Sequence, residues 1–349
     1  MRPGPPEHMG GKMKTKSLFV VALGATLTAT MAACSAVDQA KTTGDTVTVL
    51  THDSFSISDE AKAAFEKETG MTLKTTAPGD AGMVLNQLIL NKDNPTVDAV
   101  FGIDNFSAQS ALDAGVIAPY TPASDPGADR RIGDFTAIDY GDVCLNADAA
   151  YFEEHGLELP TSFADLTKPE YKDLLVVTNP VTSSPGLAFL VGTIEEAGND
   201  WKQYWTDLLD NGTQVVDSWS DAFYTDFSAA DGKGAFPLVL SYASSPAYGE
   251  GAFVNVPGTC VAQTEYAGVV KGAKNAEGAE KVIDFMLSEQ VQSEIPETMY
   301  MYPVADVALP AEWETYAQRP ANSLTPDPKK VAENRETWQK EWSALREGR

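Results

Sequence analysis

The sequence predicts an α/β protein folded as two layered lobes, and three observations carry that expectation. Short β-branched or apolar runs alternate with segments of helical periodicity, the pattern of helices packed on a mostly parallel sheet. The alternation begins at Thr46, pauses near residue 140 and restarts at Asp173. Beyond an N-terminal leader the 349-residue chain still has about 300 residues, enough for two cores. No internal repeat is visible.

The elements follow in order. "TVTVLTH" (46–52) reads as a strand. Ser58 caps a helix with Asp59 and Glu60 in its first turn, and Gly70 stops it. "MTLKTTA" is a second strand, 82–90 a helix, and "DAVFGI" (98–103) a continuous apolar strand of the kind covered on both faces. "NFSAQSALDAG" is a helix closed by Gly115. After the pause come the strand "DLLVVTNP" and the helices "SPGLAFLVGTIEEAG" and "NDWKQYWTDLL". The strand "TQVVDS", the helix "SDAFYTDFSAADG" and "FPLVLSY" then complete a second sheet. "GTCVAQTEYAGVVKG" is strand-rich, and amphipathic helices end the chain. The expected division is 46–140 with 263–349 in one lobe and 141–262 in the other.

Residues 1–33 read as an export signal with an upstream extension. Lys14 and Lys16 precede the apolar run 17–30, too short to span a bilayer, and "MAAC" ends it at Cys34. A cysteine after two small residues fits lipidation of Cys34, with 34–45 as a polar tether. The expected location is therefore the outer face of the cytoplasmic membrane, as a lipoprotein, or the periplasm. No later stretch is long and apolar enough to cross a membrane.

The formal charge is −25, and counting from Cys34 removes four basic residues and one acid (−25 − 4 + 1), leaving −28. So acidic a surface disfavours nucleic acid and attracts cationic small molecules. Cys144 and Cys260, the cysteines left after Cys34, pair most simply as a disulfide outside the cytoplasm. His52 and His155 alone cannot assemble a zinc site. There is no P-loop, dinucleotide fingerprint or nucleophile elbow, and no pair of carboxylates stands out for acid–base work. No enzyme activity, cofactor or metal is expected.

Ligands of open α/β sheets gather beyond the carboxyl ends of strands, and the residues there are chemically selective. His52 follows the first strand, and Ala81 and Gly82 open a helix after the second. Ser183, with Ser184 as N-cap and Pro185 as first helical residue, offers hydroxyls and free N–H groups to an anion. Trp219, Tyr242 and Tyr248 supply flat faces for an aromatic, cationic ring. Tyr300 comes from a late connection able to close over a cleft.

The segments "VLTHDSF", "VFGIDN", "AIDYGD", "NPVTSSPGL", "DSWSDAF", "LVLSYASSPAY" and "YMYPVADVALP" occur in an order that resembles bacterial thiamine-binding proteins, the substrate-binding components of ABC importers. The resemblance covers about 46–345. It implies a two-lobed type II periplasmic binding protein with a ligand cleft between lobes. The implied ligand is thiamine, thiamine monophosphate or thiamine diphosphate, and the implied partner an ABC permease; a monomer is expected. It further implies that Trp219, Tyr242 and Tyr248 stack on the rings, and that Ala243, Ser244 and Ser245 hold polar groups. Ser183 and Ser184 would meet the phosphate or hydroxyethyl tail, with Ala81 and Gly82 contributing backbone. His52 and Tyr300 stand where the family pattern has tyrosine and tryptophan. Two alternatives remain open: a same-fold protein for ferric iron or polyamine, and a secreted thiamine-degrading enzyme. No Tyr-Tyr pair favours iron, and neither strand cysteine has a positioned base.

Overall fold

The computed structural model describes residues 46–231 and 234–348. The export signal, Cys34 and the tether lie outside them. The first strands and helices are β1 (Thr46–Leu50), α1 (Asp59–Thr69), β2 (Thr72–Thr76), α2 (Ala81–Leu90), β3 (Ala99–Asp104), α3 (Ala108–Asp113) and β4 (Ile117–Ala118). The Ser58 hydroxyl accepts from Ala61 N–H, and Gly70 takes the left-handed conformation that ends α1 (φ 73°), as the capping pattern requires. β1 pairs in parallel with β2 and β3. Val47, Val49, Ala99 and Phe101 face one core, whereas Leu50, Val100 and Ile103 face another. Period-two alternation thus buries both faces of the sheet.

The chain continues through β5 (Thr136–Asp148), α4 (Ala149–His155), β6 (Leu175–Thr178), α5 (Ser184–Ala197), α6 (Trp201–Asp210), β7 (Gln214–Val216) and β8 (Leu238–Tyr242). It ends with β9 (Phe253–Val270), α7 (Ala276–Met286), α8 (Glu289–Met299), β10 (Tyr302–Pro303), α9 (Ala311–Tyr316) and α10 (Pro328–Glu347).

The expected second sheet is not separate. One ten-stranded sheet runs β2-β1-β3-β9-β5-β8-β6-β7, with β10 on β5 and β4 on β9. The reason is length. β5 has 13 residues and β9 has 18, so their antiparallel pair serves both halves. Near its middle the register jumps from Val143↔Val261 to Leu145↔Val256, a bulge of β9. There Thr259 replaces lost ladder bonds: its Oγ1 accepts from Leu145 N–H at 3.0 Å and donates to Val256 O at 2.7 Å. The Cys144–Cys260 disulfide is formed at this point.

Three further differences are local. Ser183, not Ser184, is the N-cap residue of α5, and Ser184 and Pro185 lie inside its first turn. The segment after Trp219 is a short π-helical turn, Asp221–Asp226. α10 belongs with the second core, not the first as the division at 263–349 implies. Its buried Val331, Arg335, Trp338 and Trp342 recur at helical spacing. Trp342 meets Trp205 edge-on at 5.5 Å, and Trp205 meets Phe189 at 5.6 Å.

Candidate functional site

Strand ends and helix starts from both halves meet in one cleft. His52, Asp80, Ser184, Trp219, Tyr242, Glu265, Met299 and Met301 line it and enclose about 30 Å³, room for a water molecule or two. The walls therefore close on each other, and a ring-sized ligand must part them.

The seam between the halves is made of specific bonds. Asp80 caps α2, its Oδ1 accepting from Ala81 N–H at 2.6 Å, and its Oδ2 accepts from Trp219 N–H across the cleft at 3.1 Å. A longer bond of 3.4 Å reaches it from Ser184 N–H at the start of α5. Beside it Gly82 N–H donates to Thr182 O at 2.9 Å. A Cβ on Gly82 would lie 2.4 Å from the Val181 carbonyl oxygen, so glycine is what lets the two loops touch. The N–H groups of Ala81 and Gly82 are thus spent on the protein itself. The helix-start site of α5 already faces a carboxyl group.

Aromatic walls stand over an acidic floor. Trp219 donates Nε1–H to Ser241 Oγ at 2.9 Å, stacks on Phe223 at 5.0 Å and meets Tyr242 edge-on at 6.0 Å. His52 Nε2 lies 3.6 Å from Glu265 Oε1. Gly102 (φ +88°) permits that approach: a Cβ there would fall 2.2 Å from His52 Cδ2. Burial pulls the His52 pKa down, but Glu265, Asp80 and Asp53 more than offset this, and the net shift is upward. Burial raises the carboxyl groups of Asp80 and Asp104 despite the hydrogen bonds they accept. Burial, then the negative charges of Glu265 and Asp80, raise the Tyr242 phenol well above its ordinary range. A cavity of this kind favours a flat cation.

The structure sorts the expected site residues. His52, Ser184, Trp219 and Tyr242 share the cleft. Ser183 is buried with its hydroxyl toward Asp80. The Ser184 hydroxyl is engaged by Asp104 and Gln263. Tyr248 and Tyr300 do not line the cleft; their rings meet at 5.5 Å in an outer groove with Glu297, Glu312, Trp313 and Tyr316. The hydroxyls of "SYASSPAY" brace the loop instead. Ser244 Oγ donates to Tyr300 O, and Ser245 Oγ bonds Ser241 Oγ at 2.8 Å and accepts from Tyr242 N–H. Ala243 is buried against the disulfide.

Sequence reasoning assigned no place in the cleft to Asp80, Glu265, Met299 or Met301. Gln263 and Glu265, two apart in a largely apolar strand, were a readable signal of a polar stripe. The methionines carried no such signal: Met299 is the last residue of α8, Met301 follows Tyr300, and Tyr300 closes the helix in the left-handed conformation (φ 54°), so no regular periodicity marks either.

With this geometry established, similarity to known proteins becomes informative. Residues 94–323 match the model of the family described as bacterial extracellular solute-binding protein. A thiamine-binding periplasmic protein of Salmonella typhimurium is 33% identical over 85% of this chain and 92% of its own. The solved structure of a periplasmic thiamin binding protein superposes with a TM-score of 0.77 at 31% identity, covering 86% of this chain and 96% of that one. A ferric binding protein of Campylobacter jejuni, with a TM-score of 0.68 at 18% identity, shares the fold alone.

Proposed function

We propose a function on this premise: the chain belongs to the bacterial extracellular solute-binding proteins, and within them to the thiamine-binding periplasmic proteins. It captures thiamine outside the cytoplasm and delivers it to an ABC importer. The observation that carries this is the cleft, in which Trp219, Tyr242 and His52 stand over Glu265 and Asp80. Such walls suit a stacked aminopyrimidine joined to a thiazolium cation. Binding would part the halves and re-close them on the ligand, presenting a changed surface to the permease. The lining side chains bind and orient; none is assigned a bond-breaking step.

The finer assignments rest on the residues. Ser183 and Ser184 would receive the hydroxyethyl or phosphate tail, which must first displace Asp80 from the start of α5. Cys34 would carry the lipid, and the protein would act as a monomer. Loss of metabolic lipid labelling in Cys34→Ser, beside retained labelling in the parent, tests the anchor.

Calorimetric titration of ligand-free protein tests the function, with thiamine, its mono- and diphosphate, spermidine and ferric citrate as ligands. Submicromolar thiamine binding that collapses in Trp219→Ala supports it. Silence with all three thiamine forms, beside a response to either other ligand, overturns it.

A further inference from the structure

Three buried acids lie side by side on adjacent strands beneath the cleft. In the register of β3, β9 and β5, Asp104 and Asp139 are both direct partners of Glu265. Their exposures are 1%, 0% and 4%. Like charges directly opposite one another on neighbouring strands repel, so each needs compensation. Asp104 has it: Ser184 Oγ and Phe106 N–H donate to it, and Arg335 of α10 faces it. Asp142, three residues beyond Asp139 on the same strand, has the Arg319 guanidinium at 3.0 Å. Asp139 has neither: no donor from the described residues reaches either of its oxygens.

The groups around Asp139 are few. Glu265 faces it from β9, and Pro303 of β10 is its partner on the other edge. Beyond Glu265 lie His52, Asp104 and the Tyr242 phenol. Two carboxyl groups facing each other in a dry site can bond only if one carries a proton. Burial, then the Glu265 charge, holds Asp139 well above the ordinary carboxylate range.

We propose that Asp139, acting through Glu265, makes the cleft selective for a fixed cation: the pair holds one proton while the site is empty, and an arriving cationic ring displaces that proton to solvent. Asp139 is then a positioning residue for charge, with Glu265 the group that meets the ligand. This rests on the thiamine reading above, and the proton count separates the two.

The test is titration of thiamine into the protein near neutral pH in phosphate and in Tris, buffers whose ionisation heats differ widely. The expected result is a difference in binding heat equivalent to about one proton released per site. It should vanish in Asp139→Asn. Thiochrome, flat and uncharged, should bind at least roughly tenfold more weakly than thiamine. Equal heats in both buffers with thiamine bound overturn the proton exchange and leave the function standing; no thiamine heat in either overturns both. Proton release that persists in Asp139→Asn assigns it to His52 and overturns the proposal. Should Asp139→Asn fail to fold, His52→Gln decides: release retained supports the pair, release lost overturns it.

Discussion

A single methyl group at Gly82 should hold the cleft ajar. In the closed arrangement the added Cβ would sit 2.4 Å from Val181 O and 2.7 Å from Thr182 O. That is about 1 Å inside normal contact, and both obstacles are backbone, so the halves must separate by about that distance. The separation stretches Gly82 N–H···Thr182 O and Trp219 N–H···Asp80 from 2.9 and 3.1 Å to beyond useful hydrogen-bond length. At about 1 kcal/mol each, closure loses about 2 kcal/mol, equivalent to roughly 30-fold in ligand affinity. The helix itself gains, because alanine is better than glycine within a helix by up to about 1 kcal/mol. Gly82→Ala should therefore bind thiamine up to roughly 30-fold more weakly in calorimetry. Its ligand-free melting temperature should fall modestly, because the same two bonds are present in the empty structure and the helix gain offsets only part of their loss. Wild-type affinity in Gly82→Ala would refute the reasoning: the Val181–Thr182 loop would then yield freely, and the seam would not limit closure.

Other perturbations have equally definite outcomes. Replacing Cys144 and Cys260 together by serine opens a link across 116 residues and should cost about 2–5 kcal/mol in urea unfolding; an unchanged midpoint would contradict it. Gly102→Ala imposes a side chain at φ +88° and drives it into His52, so about 1–2 kcal/mol of backbone strain should lower the melting temperature and weaken thiamine binding together. Asp80, Asp104, Asp139 and His52 all have folded-state pKa values above their ordinary ones. Each such shift gives stability that is present below the unfolded-state value and lost as pH rises through the folded one. The ligand-free protein should accordingly melt at a higher temperature near pH 5 than near pH 8, and Asp139→Asn should flatten the slope; a slope of the opposite sign contradicts the assignment.

Local chemistry made much of the fold legible. Ser58 and Gly70 mark the ends of α1 by capping alone, and the apolar run of β3 announces a strand buried on both faces. Trp219, Tyr242 and His52 stand at or just beyond strand ends, where a ligand of such a sheet is met. The single sheet was hidden because β5 and β9 change partners along their length, and the change occurs at a bulge around Pro257–Cys260 with no regular periodicity. Arg335 and Trp338 gave α10 its amphipathic pattern but not its destination, since periodicity says that a face is buried and not against what. The acids were overlooked for the opposite reason. A buried carboxyl in a strand breaks the local pattern, and Asp104, Asp139 and Glu265 explain themselves only when three distant strands lie side by side.

That central position of β9 has a consequence for how the molecule comes into being. β3 and β5 are made early and find β1 and β8 before residue 253, yet the neighbour between them is made only in residues 253–270. A growing or truncated chain that stops short of residue 253 leaves both with unpaired edges, which invite association with other chains. Contacts this remote in sequence make folding slow. The two halves consequently mature together and late, and a C-terminal deletion reaching into β9 should yield aggregate from the whole chain rather than one intact half.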